Sequence, residues 1–343
     1  MSALILAIET SCDETAIALL RGGGELLASE VASQIDLHAL YGGVVPEAAS
    51  RQHLRELPPL LAHTFAKAGV KLAEVDAFAA TTGPGLASSL MIGAAVAKGL
   101  AIGQGKPFLG VNHIEGHLLS PFFGVPGPVA GVGLVVSGGH TLLVEIDGFR
   151  RYRRLGGTLD DAAGEAFDKV GKLLGLPYPG GPQIDRLARD GDAQRFDLPR
   201  SMLHSGDFAF SFSGLKTAVR YLLPKIGLEA GKRGEDAGLV ADVCASFQRA
   251  VVDVLVGKTL EAASVTGRRL VAVSGGVGLN NGLRERLGLA CEARGVGLLL
   301  ASPALCTDNA AMIAAVAARA LAEGQTTPVS FDINPNLTLD FAA

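Results

Sequence analysis

Cysteine is scarce in this chain. Cys12, Cys244, Cys291 and Cys306 are scattered over 343 residues, and no two form a C-x-x-C pair. That excludes a disulfide framework and a structural zinc knuckle and makes a reducing cytoplasm the expected setting. Long apolar runs are missing too: Lys98 and nearby glycines break the longest candidate before the roughly 18 residues that a membrane span needs. The opening stretch, Met1 to Glu9, has neither the basic flank nor the small-residue cleavage site of a secretory signal and reads as a first strand. There is no basic excess. Lys+Arg 30 against Asp+Glu 34 gives a formal charge of -4, which argues against a general polyanion binder while leaving room for a local basic face. What is present, 48% hydrophobic and 19% charged residues, belongs to a globular protein, and at roughly 150 residues per domain the length fits two lobes.

The 45 glycines carry more information, because several follow apolar runs directly. Leu4 to Ile8 meets a polar stretch and resumes as Ala16 to Leu20; Gly22 to Gly24 then turns the chain into Leu26 to Val31. This is the pattern of an antiparallel meander. It is echoed by Gly131 to Val136, the turn Ser137-Gly138-Gly139-His140, Leu142 to Ile146, and a further turn at Asp147-Gly148. Two related lobes facing each other across a ligand cleft are the expectation; two unrelated hairpins in one large domain are the alternative. The boundaries expected are a first lobe over 1–125, completed by the C-terminal segment 322–343, and a second lobe over 126–321. A mainly helical insertion is expected at about 158–239, where the stripe Ala163, Phe167, Val170, Leu174 has helical spacing.

Leu270 to Val273, followed by Ser274-Gly-Gly-Val-Gly-Leu-Asn280 and a helical pattern, reads as strand, glycine loop, helix. Amides at such a helix start suit phosphate or nucleoside contacts, and a purely structural tight turn suits the glycines equally well. Neither G-x-G-x-x-G nor G-x-x-x-x-G-K-[ST] occurs.

His113 and His117 stand four residues apart, which on a helix places them on one face. Two imidazoles so placed suit a transition metal that finds at least one more ligand; two hydrogen-bonded or surface histidines fit the spacing as well. Glu115 lies two residues from each and points elsewhere, so the H-E-x-x-H protease arrangement is rejected. Asp308, just before an alanine-rich helix, is the candidate third ligand, completing a two-histidine, one-carboxylate face for iron or zinc; capping that helix is its other possible duty. Glu9 and Asp13 flank the first turn, where they either hold a cation or orient substrate, or cap the loop. Lys98 reaches a phosphate or solvent, and Arg150-Arg151-Tyr152-Arg153-Arg154 is a local basic run that either meets RNA or serves surface solubility.

Ordered motifs along almost the whole chain resemble the TsaD family, the transferase subunit of tRNA threonylcarbamoyladenosine synthesis, formerly described as O-sialoglycoprotein endopeptidase. They are IETSCDET ending at Thr15, VPEAASRQH ending at His53, TTGPG from Thr81, NHIEGH from Asn112 and VSGGHT from Val136. Beyond these come DDAAGEAFDKV from Asp160, YPGGP from Tyr178, FSFSGLKTAV from Phe210, SGGVGLN from Ser274 and TDNAAMI from Thr307. The resemblance implies an α/β fold of two ribonuclease-H-like lobes of the sugar-kinase, Hsp70 and actin type around a nucleotide cleft.

It further implies that His113, His117 and Asp308 bind one divalent metal, Fe2+ by preference with Zn2+ as the alternative. Ser137, Gly138, Gly139, Asp168, Gly181 and Asn280 would contact an adenine nucleotide or threonylcarbamoyl-adenylate. The implied reaction moves the threonylcarbamoyl group from that adenylate to the exocyclic amine of the adenosine following a tRNA anticodon and releases AMP, with Asp13 the best-placed candidate to orient or deprotonate the amine. Implied partners are tRNA, a TsaB-like homologous subunit, a TsaE-like ATPase and a TsaC-type synthase that supplies the adenylate, with no membrane. A small-molecule kinase of the same fold and a noncatalytic nucleotide-binding subunit are the competing readings.

Overall fold

The computed structural model describes residues 2–125 and 127–339. In chain order the first strands and helices are β1 (Leu4–Glu9), β2 (Glu14–Arg21), β3 (Glu25–Ser33), α1 (Ile35–Ala39), α2 (Pro46–Ala68), β4 (Ala77–Gly83), α3 (Ala87–Gln104), β5 (Phe108–Asn112) and α4 (His113–Leu119). There follow β6 (Gly131–Val136), β7 (Thr141–Gly148), β8 (Arg151–Gly157), α5 (Ala163–Leu173), α6 (Gly180–Ala188), α7 (Ser213–Leu222) and α8 (Ala237–Thr266). The last are β9 (Leu270–Ser274), α9 (Asn281–Ala293), β10 (Gly297–Leu300) and α10 (Ala310–Ala322).

These elements form two compact units: residues up to Pro128 together with those from Ser302 to Leu339, and Val129–Ala301. The chain thus returns to the first unit at Ser302, not at 322 as the sequence suggested, because α10 packs on β1 and β2. Position 126, the expected first boundary, and residues 340–343 lie outside the described residues.

In the first unit the sheet order is β3-β2-β1-β4-β5; β1 runs antiparallel to β2 and parallel to β4. In the second it is β10-β9-β6-β7-β8, with β6 antiparallel to β7 and parallel to β9. Read from the other edge the two orders coincide, so the echoed meanders are the same ribonuclease-H-like sheet built twice. Each first strand is buried along its whole length, as a strand covered on both faces must be. Leu4, Leu6 and Ile8 join Leu57 of α2 and Ala94, Ala97 and Ala101 of α3 in one apolar cluster. The alternate residues Ile5 and Ala7 point to the other face, where the small side chains of α10, AAMIAAVAARALA, let that helix lie close.

Two of the quoted motifs meet in the second unit: Asp160 accepts from the Ser211 and Ser213 hydroxyls at 2.6 and 2.5 Å and from the Phe212 amide at 2.9 Å, tying the strand end to the start of α7. Among the described residues no helix is long and apolar enough to cross a membrane.

Gly275 has φ 91 and ψ 159, backbone that only glycine adopts readily, and a Cβ there would run into the Val136 carbonyl oxygen. It is required for the close approach of β9 to β6. Gly275→Ala is expected to cost more than about 2 kcal/mol of stability; an unchanged denaturation midpoint would disprove this.

Candidate metal centre and adenylate site

Asn112 ends β5 and caps α4: its Oδ1 accepts from the Ile114 and Glu115 amides at 2.8 and 3.3 Å. The cap starts the helix at His113, so His113 and His117 fall on one face, one turn apart, with ring centroids 4.7 Å from each other. A side chain at Gly116 would collide with Ile313 and Met312, so this glycine lets α4 and α10 approach closely. That approach brings the residue before α10 to the histidines. Asn309 takes the capping duty, accepting from the Met312 amide at 2.9 Å, and Asp308 turns toward α4. Its Oδ1 lies 3.0 Å from His117 Nε2 and 3.6 Å from His113 Nε2, and the three ligand atoms lie within 4.8 Å of one another. The cluster can coordinate a divalent metal. Both histidines are buried; Asp308, 19% exposed, is the more open ligand.

The charge around the cluster also suits a cation. Glu9, fully buried at the end of β1, stands 3.2 Å from His113 Nδ1 and is further held by the Ser11 amide at 2.5 Å and by the Thr81 hydroxyl. Burial would push its carboxyl up, but the charge and bond of His113, with Thr81, bring it below its ordinary value. Burial likewise opposes the charge on His113, while Asp308 and Glu9 outweigh it and raise the imidazole to about 9. That proton must leave when a metal binds. A carboxylate behind a ligating histidine fixes its tautomer and turns the other nitrogen to the metal; Glu9 fills that place for His113. His117 Nδ1 has no hydrogen-bond partner among the described residues.

Glu14 is raised to about 10 by burial, by the charges of Asp308 and Asp13, and by a hydrogen bond with Asp13. The Cys12 thiol is pushed up by burial and by the charges of Asp13 and Asp308, so it is no thiolate nucleophile. Asp13 and Asp308 therefore act on the same loop. Asp308 and Glu9 both act on His113, and a divalent ion would answer their negative charge once the His113 proton leaves.

Glu9→Gln keeps the shape and weakens the acceptor behind His113. It is expected to lower metal affinity about 10- to 100-fold. Competition against a chelator measures this, and affinity equal to the wild type would remove Glu9 from the centre.

The second unit gathers the other expected residues around the ends of β6 and β9. Ser137 Oγ accepts from the His140 amide at 3.2 Å, closing a turn in which a Cβ on Gly138 or Gly139 would touch nothing. Unlike Gly275, these two leave open space. Asp168 Oδ1 accepts from the Gly180 and Gly181 amides at 2.8 and 3.4 Å, fixing the start of α6. Asn280 caps α9 through the Leu283 amide at 2.9 Å and donates to Gln248 at 2.7 Å. Both polar residues thus have structural duties that sequence did not reveal.

Lys98 and Arg153 each have a partner within the fold. Lys98 donates to the Phe331 carbonyl and lies 5.7 Å over the Phe108 ring, which accounts for it without a phosphate. In the basic run, Arg153 is paired across the strands with Glu145 at 2.5 Å, which Arg268 also bonds at 2.9 Å.

The chain has clear relatives among known proteins. Residues 25–315 match the family described as "TsaD: tRNA N6-adenosine threonylcarbamoyltransferase". The chain is 52% identical to the tRNA N6-adenosine threonylcarbamoyltransferase of Paracidovorax citrulli, over 100% of this chain and 99% of that protein. It is also 52% identical to that of Geobacter sulfurreducens, over 98% and 97%. Among solved structures, component A of Acidaminococcus fermentans (R)-2-hydroxyglutaryl-CoA dehydratase matches with a TM-score of 0.55 at 15% identity, over 94% of this chain and 99% of that one. Full-length HypF matches with a TM-score of 0.61 at 15% identity, over 93% and 46%. These two likenesses bear on the fold alone.

Proposed function

Because the chain belongs to the TsaD family of tRNA N6-adenosine threonylcarbamoyltransferases, we propose that His113, His117 and Asp308 hold its divalent cation and that Asp13 serves the attacking amine. The chain transfers the threonylcarbamoyl group from threonylcarbamoyl-adenylate to the exocyclic amine of the adenosine following a tRNA anticodon. The observation that carries the residue assignment is the convergence of both Nε2 atoms on Asp308 Oδ1, with Glu9 behind His113.

In the reaction the adenosine N6 lone pair attacks the carbamoyl carbon. The new C–N bond forms, the C–O bond to phosphate breaks, AMP leaves with that electron pair, and the N6 proton passes to a carboxylate. Asp13 is the acceptor we assign: it shares a hydrogen bond with Glu14 on the loop that the charge of Asp308 also reaches. When bound, the cation supplies positive charge that polarises or orients the donor's oxygens. Two imidazoles and a carboxylate suit Fe2+ and Zn2+ alike; we assign Fe2+, and metal analysis of protein purified without oxygen tests it.

Ser137, Gly138, Gly139, Asp168, Gly181 and Asn280 are assigned to the adenylate. The open space over Gly138 and Gly139 supports this. A TsaB-like subunit and a TsaE-like ATPase complete the assembly, and a TsaC-type synthase supplies the donor; copurification tests the first two.

The decisive assay supplies the assembled protein with threonylcarbamoyl-adenylate and unmodified tRNA and digests the tRNA to nucleosides. Threonylcarbamoyladenosine with matching release of AMP is the expected product. Transfer of phosphate from ATP to a small molecule, with the tRNA unmodified, would favour the kinase reading instead.

A further inference from the structure

The loop that carries Asp13 is anchored by a chain of buried side chains that the chemistry above does not use. His53 Nε2 lies 3.0 Å from the Cys12 carbonyl oxygen. A carbonyl only accepts, so Nε2 carries the proton and Nδ1 of the neutral ring is the acceptor. The neighbours agree: Nδ1 takes the Thr15 hydroxyl at 2.7 Å and the Gln34 Nε2 amide at 3.2 Å. The Gln34 Nε2 group is fixed a second time by the Ala49 carbonyl at 3.3 Å, and its Oε1 accepts from His38 Nε2 at 3.2 Å. His38 Nδ1 in turn accepts from the Val45 amide at 3.3 Å, at the start of α2.

Every donor in this series points the same way, from Val45 through His38, Gln34 and His53 to the Cys12 carbonyl. Such a directed chain strengthens each of its bonds. His38 and His53 are wholly buried and Gln34 is 3% exposed. The Gln34 backbone amide donates to the Asp13 carbonyl at 3.1 Å. Both peptide groups flanking the Asp13 Cα are therefore held, one through His53 and one by Gln34, which fixes the direction in which the Asp13 side chain leaves the backbone.

We infer that His53 is a positioning residue for threonylcarbamoyl transfer: through the Cys12 carbonyl it sets the direction of the Asp13 carboxylate without touching substrate or metal. The inference rests on the assignment of Asp13 to the attacking amine.

Four single variants and one double variant test it in the assembled enzyme. His53→Ala is expected to lower kcat about 10- to 100-fold, with KM for tRNA and donor and metal content as in the wild type, and to lower the melting temperature because buried polar groups lose their partner. His53→Gln, whose amide nitrogen stands where Nε2 was, is expected to recover most of that loss; His53→Asn, which replaces only Nδ1, is not. Thr15→Val, which removes a donor to Nδ1 at constant volume, is expected to lower kcat in the same direction and keeps the test available should His53→Ala fold poorly. In an Asp13→Asn background, His53→Ala is expected to add nothing further.

Undiminished kcat in His53→Ala, equal rescue by Gln and Asn, or losses that multiply with Asp13→Asn would each overturn the role of His53. Wild-type transfer by Asp13→Asn would instead overturn the assignment of Asp13, and it is read from that variant alone.

Discussion

Replacing His117 with alanine is expected to empty the cation site and to lower threonylcarbamoyl transfer by about 10²- to 10³-fold, the scale of losing a main electrostatic contribution to an acyl-transfer step. His113→Ala is expected to do the same and more. Glu9 is wholly buried against His113, and a buried charge deprived of its partner costs about 3–5 kcal/mol. His117 carries no such second partner on Nδ1. The two alanine variants should therefore match in metal content and activity and differ in melting temperature, with His113→Ala the lower. Retention of both bound metal and transfer in either variant would remove that histidine from the centre.

Asp13→Asn carries the second large effect. Removing a positioned proton acceptor typically costs about 10²- to 10⁴-fold, so a kcat loss in that range is expected. Asp13 is not one of the three ligands, so the cation should remain at the wild-type amount. The combination separates the two classes of residue: ligand variants lose metal and activity together, and Asp13→Asn loses activity alone. Single-turnover rates with saturating donor measure the chemical step directly. A rate equal to the wild type would show that the amine needs no help from Asp13.

Local pattern made much of the fold legible. Leu4 to Ile8, Ala16 to Leu20 and Leu26 to Val31 lie within β1, β2 and β3, and their echo lies within β6 and β7, because buried strands and glycine turns write themselves into short stretches of sequence. The helical face shared by His113 and His117 was readable from spacing alone. The role of Asp308 was not. Asp308 and Asn309 are equally good caps by residue type, and only the packing of α10 on α4 across Gly116 shows that Asn309 caps while Asp308 meets the histidines.

Contacts distant in sequence account for the rest. Glu9 and His113 are 104 residues apart, and nothing near Gln34 or His38 signals that they form one series with His53. The pairing of Arg153 with Glu145 was within reach, since a turn at Asp147-Gly148 places the two across from each other. The glycines divide by environment, which sequence does not record: Gly275 is forced by the backbone of β6, whereas Gly138 and Gly139 border open space.

The claim on which the rest depends is that one ion, held by His113, His117 and Asp308, is needed for the transfer. The most direct measurement strips the assembled enzyme of metal, returns Fe2+ or Zn2+ in steps without oxygen, and follows threonylcarbamoyladenosine formation at each step. Transfer should be lost on stripping and should return in proportion to added ion up to one per chain, with no return in the His117→Ala variant. Full turnover by the metal-stripped enzyme would contradict the account.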